Sequence, residues 1–262
     1  MSQDNVGAEK PLKKKLVNKI GMEFILLPGG EFVMGTDDLT DDPSDLEAVE
    51  KKVSELSGQP GFSAYDFSPR HVARIKPFYL GRAPVTQAQW TRLMGNNKAT
   101  YKEGWDLPME SVNWYDALKF IEKINELMGT DAHRLPTEAE WEYGCRAGSP
   151  GDFCFEGRAS RLDNYAWFTH NARFHPRAVA QKKPNKFGLF DMHGLVWEWT
   201  SSQERLYPYR ADDGREEPSG PNPRVVRGGS FMSDPYFCRC GFRDWHLPTH
   251  RDHDLGFRLA VS

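Results

Sequence analysis

Turn residues interrupt this chain so often that most of it has no room for a long regular element. The 262 residues include 23 glycines and 18 prolines. From residue 148 onward, short apolar runs alternate with Gly, Pro, Asn and Asp and keep no sustained period. Gly opens positive φ and Pro removes a backbone donor, so each limits the element around it. Such a chain must bury its surface at a few large side chains. Eight tryptophans supply them, because an aromatic ring removes a large area from water in one position. The expected fold class is α+β: a single irregular domain with few helices, short antiparallel strands and much coil.

The periodic segments lie mostly in the first half. Residues 22–34 place two apolar runs around Pro28-Gly29-Gly30, a strand–turn–strand pattern. Residues 72–80 read as one strand, and Pro77 marks it as an edge. Thr86 is placed to cap a helix over residues 87–94. Asn113 caps the clearest helix, in which Trp114, Leu118, Ile121 and Leu127 recur at near-helical spacing until Gly129. Thr137 and Glu140 form a capping-box pattern for a short helix through Tyr143. Residues 225–227 and 256–261 read as short strands. Residues 1–20 read as a flexible leader, 21–262 as the domain, and 37–68 as a loop insertion with a helical turn around 46–53.

Composition excludes several classes of function. The net charge is −3, which offers no electrostatic attraction to nucleic acid or an anionic membrane. No run of about 18 apolar residues is present, and residues 1–19 are polar, with Lys13, Lys14 and Lys15, rather than a secretory signal. The expected location is the cytoplasm. Cys145, Cys154, Cys238 and Cys240 are too few for a disulfide scaffold, and their spacing is not that of a zinc ribbon.

Five blocks, in order, carry a resemblance. Residues 134–148, RLPTEAEWEYGCRAG, are the most specific. Residues 32–36 with Pro84-Val85-Thr86 precede them, as does LPMESVNWYDA at 107–117. NKFGLFDMHGLVWEWT at 185–200 follows, then RVVRGGS at 224–230 with Gly256-Phe257-Arg258. Together they resemble the formylglycine-generating, or sulfatase-modifying-factor, family, from about Gly21 to the last residue. The resemblance implies a C-type-lectin-like fold. In such a fold Arg134, Glu138, Glu140 and Glu142 are suited to charge-assisted hydrogen bonds between loops, and Trp141, Trp197 and Trp199 to core anchors.

The resemblance also implies metals. It assigns Ca2+ to side-chain oxygens of Asp191 and Glu198 and to the carbonyls of Gly194 and Val196, with Leu195 where relatives carry Asn. A second calcium site would begin near Asn164-Tyr165, and no other half is evident in 172–178. Active family members hold Cu+ on two cysteines near the C-terminus and use dioxygen to oxidise a substrate cysteine. Here the expected catalytic pair is Cys238 and Cys240. They are separated by one residue, where the family pattern has four. On an extended segment that spacing would put both thiols on one face. Cys145 and Cys154 read as small buried hydrophobes.

His246, His250 and His253 are spaced H-x3-H-x2-H, but Pro248 argues for a loop and against a helical metal face. Residues 231–254 also carry Tyr236, Phe237, Phe242, Asp244, Trp245, His246 and His250, an aromatic and polar palette suited to ligand contact. The same frame resembles the diversified surface of retroelement variable proteins. Two readings therefore stand. One is a copper- and O2-dependent oxidoreductase acting on a cysteine-containing peptide or small thiol. The other is a non-catalytic ligand-binding protein whose protein or glycan ligand meets residues 231–254. Neither has nucleic acid or membrane as a partner.

Overall fold

The computed structural model describes residues 13–36, 68–156 and 159–262. The loop insertion expected at 37–68, with its helical turn, lies outside them except for Ser68. Strands β1 (Lys15–Val17), β2 (Glu23–Leu27), β5 (Phe78–Gly81), β11 (Ala260–Val261) and β6 (His133–Arg134) form an antiparallel sheet in that order. Lys15–Val17 lies within the stretch read as a flexible leader, yet it pairs with β2, and the Tyr79 hydroxyl donates to the Lys13 carbonyl at 2.8 Å.

This sheet divides two hydrophobic cores. Successive strand side chains point to opposite faces. Phe24, Tyr79, Leu259 and Val261 face the core built on Trp90, Phe120 and Phe257. Ile25, Leu27, Phe78, Leu80 and Ala260 face the core built on Trp141, Leu189 and Met192. A sheet covered on both faces has no polar side, so its strands read as apolar runs without clean alternation.

Residues 72–80 are two strands, not one edge strand. β4 (His71–Ile75) pairs with β3 (Gly30–Met34), while β5 enters the middle of the larger sheet. Lys76-Pro77 makes the break, because Pro cannot donate to a ladder. There the turn at Gly29 presses on the chain: a Cβ at this residue, at φ +72°, would stand 2.5 Å from the Ile75 carbonyl. β2 and β3 accordingly lie in different sheets. Residues 256–261 divide in the same way, between β10 (Leu255–Gly256) and β11.

The three expected helices form with the expected caps. α1 (Gln87–Met94), α2 (Trp114–Met128) and α3 (Glu138–Arg146) each open on a capping box, at Thr86, Asn113 and Thr137. A short α4 (Thr169–Ala172) follows. Asn113 Oδ1 accepts from the Asp116 N–H at 2.9 Å. Asn113→Ala is expected to lower stability by about 1 kcal/mol, read as a shift in the urea midpoint at unchanged slope.

β7 (Trp197–Gln203), β8 (Arg224–Arg227) and β9 (Arg243–His246) form the second sheet, with β10 parallel to β7. Two indoles lock it to α2 and the turn before it. Trp114 donates to the Thr200 carbonyl at 2.9 Å, and Trp199 to the Val112 carbonyl at 3.0 Å.

Candidate functional site

β9 and the loop after it shape a groove. Its cavity, about 630 Å³, is lined by Trp197, Asp244, Trp245, His246, His250, Asp252 and Asp254, among others. β8 holds β9 in register, with Val225 opposite Trp245 and Val226 opposite Asp244. Pro248 breaks the strand, and its carbonyl accepts from the Trp114 N–H at 3.2 Å. That bond ties the groove wall to the start of α2. His246 and His250 stack with ring centroids 4.3 Å apart and planes 20° apart.

The groove is acidic, and its charge depends on pH. Burial pushes the Asp244 carboxyl up to about 6. Burial also raises Asp254, although the Ser230 hydroxyl donates to it at 2.6 Å. Burial, with the charge of His250, depresses His246 to about 4. At neutral pH the carboxylate of Asp244 therefore faces a neutral His246.

Four of the expected ligand contacts, Asp244, Trp245, His246 and His250, line this groove together. Tyr236, Phe237 and Phe242 instead form a cluster of edge-to-face rings, 5.1 to 5.5 Å apart. Phe242 is buried, and its ring lies 5.9 Å from that of Trp197, which lines the groove. Trp197 is half-buried and lines the groove, while Trp141 and Trp199 are fully buried.

The thiols of Cys238 and Cys240 enter different clusters. A 3-10 turn, Pro235–Cys238, and a bend at Arg239 replace the extended segment that a shared face requires. Cys238 packs with Phe153, Cys154, Phe155 and Phe168. Cys240 packs with Trp141, Cys145 and Met192. Both are fully buried, and burial pushes the Cys238 thiol well above its ordinary value. The two thiols therefore do not share one face. The neighbours of Cys240 are Cys145, with the two sulfurs 3.4 Å apart, and His193. Sequence reading missed this cluster because Cys145 reads as a small buried hydrophobe and His193 sits in a largely apolar stretch, so a core role is sufficient for each. The one available signal was His193, a polar residue inside the run from Leu189 to Val196.

The calcium donors fit poorly. Both Glu198 oxygens are taken by Arg258, each at 2.6 Å, and the Trp141 indole adds a third bond at 2.7 Å. The Gly194 carbonyl accepts from the Val196 N–H at 3.0 Å. Asp191 alone keeps a buried oxygen without a partner, Oδ1, while Oδ2 accepts from the Ala180 N–H at 2.7 Å. Burial pushes this carboxyl up to about 6.

Two cores on either side of a short-stranded antiparallel sheet, with a loop-built groove on a second sheet, define a C-type-lectin-like domain. The profile of the sulfatase-modifying factor enzyme 1-like domain matches residues 10–262, and the chain belongs to that family. It is 31% identical over 204 residues to the formylglycine-generating enzyme of Bos taurus, covering 71% of this chain and 51% of that protein. It is 28% identical over 285 residues to the hercynine oxygenase of Mycolicibacterium smegmatis, covering 90% of this chain and 60% of that protein. The chain thus spans between half and two thirds of the length of these two relatives. Among solved structures, Treponema denticola variable protein 1 superposes with a TM-score of 0.78 at 25% identity, over 96% of this chain and 99% of that one. Among the described residues, no helix is long and apolar enough to cross a membrane.

Proposed function

We propose that this chain is a ligand-binding member of its family and that the groove beside β9 takes a cationic group, an ammonium or guanidinium presented by a protein ligand. The observation that carries this reading is the groove's composition. Asp244, Asp252 and Asp254 supply negative charge next to the rings of Trp197 and Trp245. Carboxylates attract a cation by charge, and indole faces attract it through their quadrupole, best at Trp. The stacked, neutral His246 adds ring surface without opposing charge.

The test is titration calorimetry with short peptides rich in Lys or Arg, against acidic and neutral peptides of equal length. The basic peptides are expected to bind at least tenfold more tightly. Asp244→Asn and Trp245→Ala are each expected to weaken that binding about tenfold. The pH dependence has a fixed sign: Asp244 ionises as pH rises through about 6, so affinity is expected to grow from pH 5 to pH 7. Equal binding of acidic peptides, or affinity that falls over that range, would sink the reading.

The second reading is oxidation of a cysteine-containing peptide or small thiol with copper and dioxygen. The identity to the bovine formylglycine-generating enzyme favours it. It requires copper that depends on Cys238. A copper titration of the reduced protein with Cys238→Ser and Cys240→Ser, followed by thiol-dependent oxygen uptake, tests it. Copper held by the wild type and lost in Cys238→Ser would support this reading. Copper indifferent to Cys238 would remove it.

A further inference from the structure

Three buried donors from distant segments meet away from the groove. Cys145 lies in the last turn of α3, His193 in the turn before β7, and Cys240 just before β9. Sγ of Cys145 stands 3.4 Å from Sγ of Cys240, and 3.8 and 3.9 Å from Nδ1 and Nε2 of His193. A ligand atom from each lies within 4.8 Å of the others, and all three residues are buried.

We propose that Cys145, His193 and Cys240 form a buried site for one thiophilic d10 cation, Zn(II) or Cu(I). Thiolate and imidazole are the donors such ions prefer. The spacing fits: two ligands about 2.3 Å from an ion at the tetrahedral angle stand about 3.8 Å apart.

The imidazole is oriented for the role. His193 Nδ1 lies 2.8 Å from the Cys238 carbonyl, which can only accept, so this nitrogen carries the proton. Nε2 is left with its lone pair, and an outer hydrogen bond of this kind is how proteins orient a metal-binding histidine. That lone pair accepts from the Cys154 N–H at 3.1 Å, a contact the ion would replace.

Charge is also provided for. The ion displaces one proton from each thiol, and no oxidant or reductant is involved. The resulting thiolates lie near the guanidinium of Arg146, which approaches Gly241, the residue after Cys240, to 3.3 Å of where a Cβ would stand.

The test uses the full chain, reduced and stripped with chelator, then given Zn(II) alone or, without oxygen, Cu(I) alone. After desalting, about one ion per chain is expected for the preferred metal, with a raised melting temperature. Retention is expected to fall at least tenfold in Cys145→Ser and in Cys240→Ser, and to persist in Cys238→Ser. Because either loss variant is open to a folding defect, Co(II) added to the wild type gives an independent readout. A sulfur-to-cobalt charge-transfer band is expected. No retained ion together with no such band would overturn the proposal. So would an ion kept by both loss variants, or one lost instead in Cys238→Ser, an outcome that supports copper-dependent oxidation. The groove reading is tested separately and stands or falls without this site.

Discussion

Glu142→Gln is expected to cost about 3–5 kcal/mol, the loss that follows when one partner of a buried ion pair is removed. Glu142 is fully buried in α3. Its Oε1 accepts from the Gly35 N–H at 2.9 Å and from Arg146 Nε at 2.8 Å, and its Oε2 accepts from Arg227. An amide keeps the shape and leaves two guanidinium groups without their counter-charge. Domains of this kind are stable by about 5–15 kcal/mol, so the loss takes a large share of the total. Urea unfolding at constant slope measures it. The pH dependence gives a second readout. Burial alone would raise the Glu142 carboxyl, but Arg146 and Arg227 outweigh it and hold the group below its ordinary value. A depressed carboxyl stabilises fully above its unfolded value, about 4.3, and the contribution is lost as pH falls through the folded value. The variant is expected to lack that acid limb. A loss under about 1 kcal/mol would mean that desolvation nearly cancels the pairing.

Arg258→Met is expected to cost a similar 3–5 kcal/mol, and it also addresses calcium. Arg258 gives two bonds to Glu198 and one each, at 3.0 Å, to the carbonyls of Gly81 and Phe190. Gly81 ends β5 and Phe190 precedes the turn of Asp191, so one side chain joins both sheets. Removing it strands the Glu198 carboxylate in the interior and orphans two carbonyls. Thermal unfolding of the variant with and without calcium separates two cases. With Arg258 as the counter-ion of Glu198, added calcium leaves the melting temperature of wild type and variant unchanged. If calcium restores the variant, Glu198 is a metal ligand once it is free.

Local signals in the sequence survived into the structure, and long-range partnerships did not. The caps at Thr86, Asn113 and Thr137 are decided within four residues, and all three form. The burial of Trp141, Glu138 and Glu142 was also readable, because charged residues alternating with Trp in a short helix have few places to go. Their partners were not. Arg134 pairs with Glu140 alone, whereas Glu138 pairs with Arg215 and Arg243, and Glu142 with Arg146 and Arg227. Most of these arginines lie 77 to 105 positions away, and nothing local to an arginine announces which acid it will meet. The split of residues 72–80 had one visible cause, Pro77, but the sheet that each half joins depends on chain that arrives later. For the groove, Asp244, Trp245, His246 and His250 were legible as a palette. Trp197 and Asp254 come from outside β9, and only the folded second sheet brings them there. The shared face expected for Cys238 and Cys240 does not form, because side-chain alternation holds only on an extended segment and a 3-10 turn ends at Cys238.

β11 has a consequence for how the protein is made. The strand sits between β5 and β6, and 180 residues separate Leu80 from its partner Ala260. During translation β5, with Phe78 and Leu80, emerges early and borders an empty slot in its sheet. At 5–20 residues per second the slot stays open for roughly ten to forty seconds. Over that interval the nascent chain presents an apolar strand edge to everything around the ribosome. Its yield in a cell should therefore follow the supply of chaperones that cover such edges more closely than it follows the stability of the finished domain.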